Sequence, residues 1–216
     1  MSNLKGLGVA LVTPFNEDLS VDFDSLTKLV NFNIENGTQF LVVLGTTAEA
    51  ATLSNDEKKQ VVEHIIKTNN KRLPLVLGIG GNNTFEVKKQ IEDADLSAFD
   101  AILSVSPYYN KPNQEGLYQH YKVLAETGKK IIIYNVPSRT GQNIEASTTL
   151  KLANEFPNLF MIKEAAPNIL QYFDILRQKP ANFSLVSGDD EYTLPVTLAG
   201  GDGVISVIVQ AYPKEF

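Results

Sequence analysis

A chain of 216 residues with 43% apolar side chains can bury one large core. Its 19 Lys and Arg stand against 25 Asp and Glu, a net charge of −6 with no basic block, which argues against nucleic acid or an anionic membrane as the main partner. There is no cysteine, so disulfides, thiolate catalysis, iron–sulfur clusters and cysteine-type zinc sites are excluded.

The first apolar run, Leu7–Val12, is too short to span a membrane, and Pro14 and the acidic pair Glu17–Asp18 follow it closely. No small-residue cleavage site is visible, so no signal peptide is expected and the protein is read as cytoplasmic. Gly37 stands where a first helix should stop. A second run, Phe40–Leu44, leads into Gly45-Thr46-Thr47-Ala48-Glu49. Ser54-Asn55-Asp56-Glu57 then has the form of a capping box, ahead of Val61, Val62, Ile65 and Ile66 repeating on one helical face. After Leu75–Leu77, Asn83 and Glu86 offer a weaker helix start. Ala101–Val105 precedes Ser106-Pro107-Tyr108-Tyr109-Asn110-Lys111-Pro112, and Gly128 marks the end of the next helix. Ile131–Tyr134 runs into Asn135-Val136-Pro137-Ser138-Arg139-Thr140-Gly141. Leu159–Lys163 is followed by Asn168, which can cap a helix carrying Ile169, Phe173 and Leu176. Phe183–Val186 and Val204–Val207 complete the series.

These eight runs contain few charges, as strands buried on both faces should, and they recur roughly every 20 to 35 residues, the length of a βα unit. Eight such units predict a (β/α)8 barrel, with an open doubly wound sheet as the alternative. The stretch after Val207, Ile208 to Phe216, is too little for a full eighth helix. The expectation is therefore one barrel domain over 1–216, truncated after its eighth strand.

Chemistry in such a barrel sits at the carboxyl ends of the strands. Lys163 ends its run there, flanked by Met161 and Ile162. Partial desolvation disfavours the charged amine, and a neutral amine can form an imine with a ketone. The alternative is a solvated lysine at a strand end. Thr46 and Thr47 supply hydroxyls and amides suited to a carboxylate, or else a plain turn. The Tyr108–Tyr109 pair is either apolar cover or a source of phenols for proton transfer or a subunit contact. Tyr134, one strand from Lys163, and Arg139, on a proline-stiffened loop, add a phenol and a carboxylate clamp at the same face. The glycines at 78, 80 and 81 lack the third position of a dinucleotide loop. Asp189–Asp190 reads as negative charge at a helix start rather than a metal site, and His64 and His120 have no ligand-type neighbours.

GTTAEA at 45–50, SPYYNKP at 106–112, YNVPSRTG at 134–141, IKEA at 162–165, SGDD at 187–190 and GGDGVISV at 200–207 together resemble the dihydrodipicolinate synthase family of pyruvate-dependent class I aldolases. The order and spacing carry the likeness from the first strand to the end of the chain. The resemblance implies a TIM barrel with Lys163 as the Schiff-base residue, condensing pyruvate with L-aspartate 4-semialdehyde in lysine and diaminopimelate biosynthesis. It implies Thr47 on the pyruvate carboxylate, Thr46 and Tyr134 in a proton relay, and Tyr109 completing that relay from a neighbouring subunit. It implies Arg139 receiving the second substrate, and Gly188 and Ile205 lining the pyruvate pocket. It implies no metal or organic cofactor and, for the full-length family, a homotetramer. Arg139 favours the synthase over the N-acetylneuraminate and keto-deoxy sugar acid lyases of the same superfamily. A non-catalytic barrel that binds a ligand or partner is the alternative of another class.

Some members are inhibited by L-lysine, and the matching positions are Ala50, Ala51, Asn55, Lys58, Asn82, Glu86 and Tyr108. Lys58 is a cation where inhibited relatives carry histidine, so weak or absent inhibition is expected. Ala48 replaces a usual glycine and would be strained if that position needs a positive φ.

Overall fold

The β-branched runs become strands because each is buried on both faces. In the computed structural model, which describes residues 4–216, they are β1 Gly6–Ala10, β2 Phe40–Val43, β3 Leu75–Gly78, β4 Ala101–Val105, β5 Ile131–Asn135, β6 Leu159–Glu164, β7 Ser184–Ser187 and β8 Gly203–Ser206. All neighbours are parallel, and β8 pairs back onto β1, so the sheet closes in sequence order. This is the (β/α)8 barrel expected, and closure removes the open-sheet alternative.

Alternation along the strands separates two environments. Val42, Val76, Leu103, Ile132, Met161, Val186 and Ile205 fill the interior, with Phe40 below them. Gly8 must be glycine there, because a Cβ would stand 2.2 Å from the Phe40 ring. The opposite parity, including Ile102, Ile131, Ile133, Ile162 and Leu185, packs outward beneath the helices.

The helices are α1 Phe23–Glu35, α2 Asn55–Asn69, α3 Thr84–Asp93, α4 Gln114–Ala125, α5 Pro137–Thr140, α6 Ala146–Glu155, α7 Ile169–Gln178 and α8 Thr193–Leu198. The Ser54 capping box forms in full, with the Glu57 amide donating to Ser54 Oγ and the Ser54 amide donating to Glu57 Oε2 at 2.8 Å. Asn83 and Asn168 accept the first amides of α3 and α7. Gly37 and Gly128 follow α1 and α4 at φ +104° and +69°.

Two points left open by the sequence are resolved. On α7 the buried face is Tyr172 and Ile175, with Ile169 and Leu176 partly buried, whereas Phe173 is exposed. The core-facing stripe runs at i, i+3 from Ile169. Ala48 lies in a 3₁₀ turn, Thr46–Ala48, and the left-handed residue is its neighbour Glu49 at φ +55°. The alanine is therefore unstrained, and its carbonyl accepts the Thr13 hydroxyl at 2.8 Å. Among the described residues no helix is long and apolar enough to cross a membrane.

Candidate active site

Register and parity bring two of the expected site residues together. Tyr134 and Lys163 are partners across β5 and β6, both with the parity of Ile132 and Met161, so both face inward at the carboxyl end of the barrel. Lys163 Nζ lies 4.4 Å from the centre of the Tyr134 ring. The lysine is 3% exposed. Burial lowers its pKa to about 8; the Asp190 charge opposes that shift and the Arg139 charge adds to it. Burial also raises the Tyr134 phenol, against the Thr46 side chain and the Arg139 charge, which stabilise its anion.

β7 closes the other side. The Gly188 amide donates to the Glu164 carbonyl at 2.6 Å, bringing its backbone against the lysine side chain. A Cβ at Gly188 would sit 2.8 Å from Lys163 Cε and 2.9 Å from Cγ. Ile205, fully buried, belongs to the same interior layer as Tyr134.

Above this pair opens a cavity of about 550 Å³. Thr46, Tyr134 and Arg139 are on its wall. So are Ala50, Ala51, Lys58 and Tyr108, four of the residues matched to a lysine site, so that region is continuous with the reactive end. Thr47 is half-buried and does not line it, and Lys163 lies below the wall, against Tyr134. Asn55, Asn82 and Glu86 do not reach the cavity; the Asn82 carbonyl instead accepts Asn110 Nδ2 at 3.0 Å. Tyr109 is 88% exposed at φ +71°, so this single chain does not bring its phenol to Tyr134.

The acidic pair after β7 divides in function. Asp189 accepts the Glu191 amide at a 3₁₀ turn, Asp190–Tyr192, as a helix-start charge should. Asp190 does something the sequence reading did not foresee. Its Oδ2 accepts the amides of Val207 and Ile208 at 3.3 and 3.1 Å, tying the turn after β7 to the one after β8. Asn135 and Glu164 were also missed. Their outward placement was legible, since each follows an expected site residue on a buried strand and alternation sends it into the helical layer, but the partners that such a buried polar side chain needs were not.

A model of the Dihydrodipicolinate synthetase family matches residues 3–216. The chain belongs to this family. It is 58% identical over 212 residues to the 4-hydroxy-tetrahydrodipicolinate synthase of Flavobacterium psychrophilum, an alignment covering 98% of this chain and 72% of that protein. The dihydrodipicolinate synthase of Thermotoga maritima superposes with a TM-score of 0.94 at 40% identity, covering 99% of this chain and 73% of the other. The chloride-inhibited dihydrodipicolinate synthase of Acinetobacter baumannii, solved in complex with pyruvate, superposes with a TM-score of 0.93 at 44% identity, covering 98% and 72%.

Proposed function

We propose that Lys163 is the amine through which this enzyme works. As a member of the dihydrodipicolinate synthetase family, the chain condenses pyruvate with L-aspartate 4-semialdehyde to 4-hydroxy-tetrahydrodipicolinate. The observation that carries the lysine assignment is its burial beside Tyr134 with a pKa near 8. At pH 7 roughly a tenth of the amine is then neutral, against well under a thousandth for a solvated lysine.

The neutral nitrogen attacks the pyruvate ketone and water leaves, giving a protonated imine. That imine acts as an electron sink, a methyl proton departs, and an enamine forms. The enamine carbon attacks the aldehyde. The amino group of the new chain then adds to the imine carbon and expels the lysine as the ring closes. Each step moves a proton, and the reading assigns that traffic to Tyr134 and Thr46, with Tyr109 completing the relay from a neighbouring subunit. The exposure of Tyr109 on its own chain supports that last role. Thr47, Gly188 and Ile205 are assigned to the pyruvate pocket and Arg139 to the carboxylate of the second substrate. Support comes from the close packing of Gly188 on Lys163 and the exposure of Arg139 to an approaching ligand. The reading includes a single barrel domain over 1–216, a cytoplasmic location and a homotetramer.

Borohydride reduction with pyruvate, followed by peptide mass analysis, tests the assignment. An adduct on Lys163 is expected; pyruvate consumption without one would overturn it. Turnover of N-acetylneuraminate in preference to aspartate semialdehyde would move the chain to the lyases.

A further inference from the structure

Behind the reactive pair stands a second pair. Asn135 and Glu164 are register partners one step beyond Tyr134 and Lys163, and they face outward. Glu164 is fully buried and has no ion-pair partner among the described residues. Its Oε1 accepts Asn135 Nδ2 and the Ala166 amide, each at 2.8 Å, and its Oε2 accepts Gln171 Nε2 at 2.9 Å. The two amides cannot turn round without loss. Asn135 Oδ1 already accepts the Ile144 amide at 3.0 Å, and Gln171 Oε1 accepts Asn143 Nδ2 at 2.8 Å. Three N–H donors therefore converge on a carboxylate from β5, from α7 and from the residue after Ala165. The Glu164 carbonyl meanwhile accepts the Gly188 amide at 2.6 Å and the Tyr172 hydroxyl at 2.7 Å. One residue thus ties together the elements that touch the Lys163 side chain from both sides. Packing alone would favour an apolar residue here, because a buried unpaired carboxylate is costly.

We propose that Glu164 is a positioning residue for Lys163: its carboxylate locks the β5–β6 rung behind the reactive one, holding the amine over Tyr134 and against Gly188. The proposal rests on Lys163 being the imine-forming residue.

The lock is sensitive to pH. Burial pushes the Glu164 carboxyl up to about 7, against the hydrogen bonds from Gln171, Ala166 and Asn135. The groups around it are the neutral amides of Asn135, Asn143 and Gln171, and the phenols of Tyr121 on α4 and Tyr172 on α7. Burial raises both phenols, and their hydroxyls donate to the carbonyls of Ser104 and Glu164, so both stay protonated. Of these groups Glu164 alone changes charge near neutrality. Protonation turns one acceptor into an O–H facing N–H donors, so the lock loosens as pH falls through about 7.

The experiment is the rate of borohydride-trappable pyruvate adduct on Lys163, measured from pH 6 to 9 in the intact chain. Glu164→Gln keeps the shape but sets an NH₂ group against the donors; Gln171→Met removes one donor and is the milder variant should the first not fold. In the wild type, the logarithm of the rate is expected to fall below pH 7 with a slope steeper than one, since Lys163 and Glu164 both titrate. In Glu164→Gln the rate at pH 8 is expected to drop about ten-fold or more, from misplacement of the amine. Its acid limb is expected to fall with the single slope that Lys163 alone produces. Gln171→Met is expected to slow adduct formation less. A purely structural carboxylate would lower the melting temperature without altering that slope. Wild-type rate and profile in the folded variants would overturn the proposal alone. No adduct on Lys163 in the wild type would overturn the lysine assignment and the proposal with it.

Discussion

Lys163 and Arg139 are both cations at the carboxyl end of the barrel, placed on consecutive βα units, yet their surroundings are opposite. Lys163 is on a strand, 3% exposed, with its pKa pulled down by burial. Arg139 is exposed on the four-residue helix α5, stiffened by Pro137 at its first position. The amine proposed to lose its proton and react is inside the wall, where the charged form is disfavoured. The cation proposed to hold a carboxylate stands in water, open to an approaching ligand. A similar division recurs nearby: Tyr134 lies buried in β5, whereas Thr46 and Tyr109 sit on exposed turns.

The largest expected effect is at Lys163. Replacing it with Met should abolish both the pyruvate adduct and turnover while making the protein more stable. The sign follows from linkage. The lysine pKa falls from 10.5 unfolded to about 8 folded, so between these values the unfolded chain binds more protons and stability rises with pH. Below pH 8 the native state carries the whole penalty, on the order of 3 kcal/mol. At about 2–4 °C per kcal/mol for a chain of this size, Lys163→Met should melt several degrees higher at pH 7 and lose the rise between pH 8 and 10. Calorimetry across that range decides it; identical melting curves would break the contrast between wall and loop.

Tyr134→Phe comes next. The ring stays beneath Lys163, so stability should change little, while adduct formation should slow by about 10²-fold through loss of the proton-carrying hydroxyl. A variant at wild-type rate would move the relay away from the wall. Arg139→Ala should leave the rate of adduct formation with pyruvate nearly intact and raise the KM for aspartate semialdehyde by about 10- to 100-fold, the loss of a charge-assisted pair. Equal damage to both substrates in steady-state assays would show that the loop does more than select. The smallest expected response is to L-lysine. Lys58 on the cavity wall competes with the ligand's ammonium, so inhibition should be weak or absent, and sub-millimolar inhibition would contradict this.

Strand alternation and helix caps were legible because both are local. The run Leu159–Lys163 and the box at Ser54–Glu57 declare themselves within six residues, and each formed as expected. Arg139 and Thr46 were legible as mouth residues because each follows a strand directly. Glu164 was not, although it adjoins Lys163. Its partners Asn135, Ala166 and Gln171 come from β5, the turn after β6 and α7, and nothing in the local pattern indicates that their N–H groups converge. Which face of α7 is buried was not read from the sequence; in the fold it is that of Tyr172 and Ile175.

By itself the sequence determined the eight strands, the helix starts between them and the side-chain types available at each strand end, since period and capping depend on residues a few positions apart. The tertiary structure decided how deep each group lies. The low pKa of Lys163 depends on Tyr134 from β5 and Gly188 after β7 closing around it, and the raised one of Glu164 on the outer side of the same strand. Desolvation sums over atoms brought from distant parts of the chain, so it exists only once the barrel has closed.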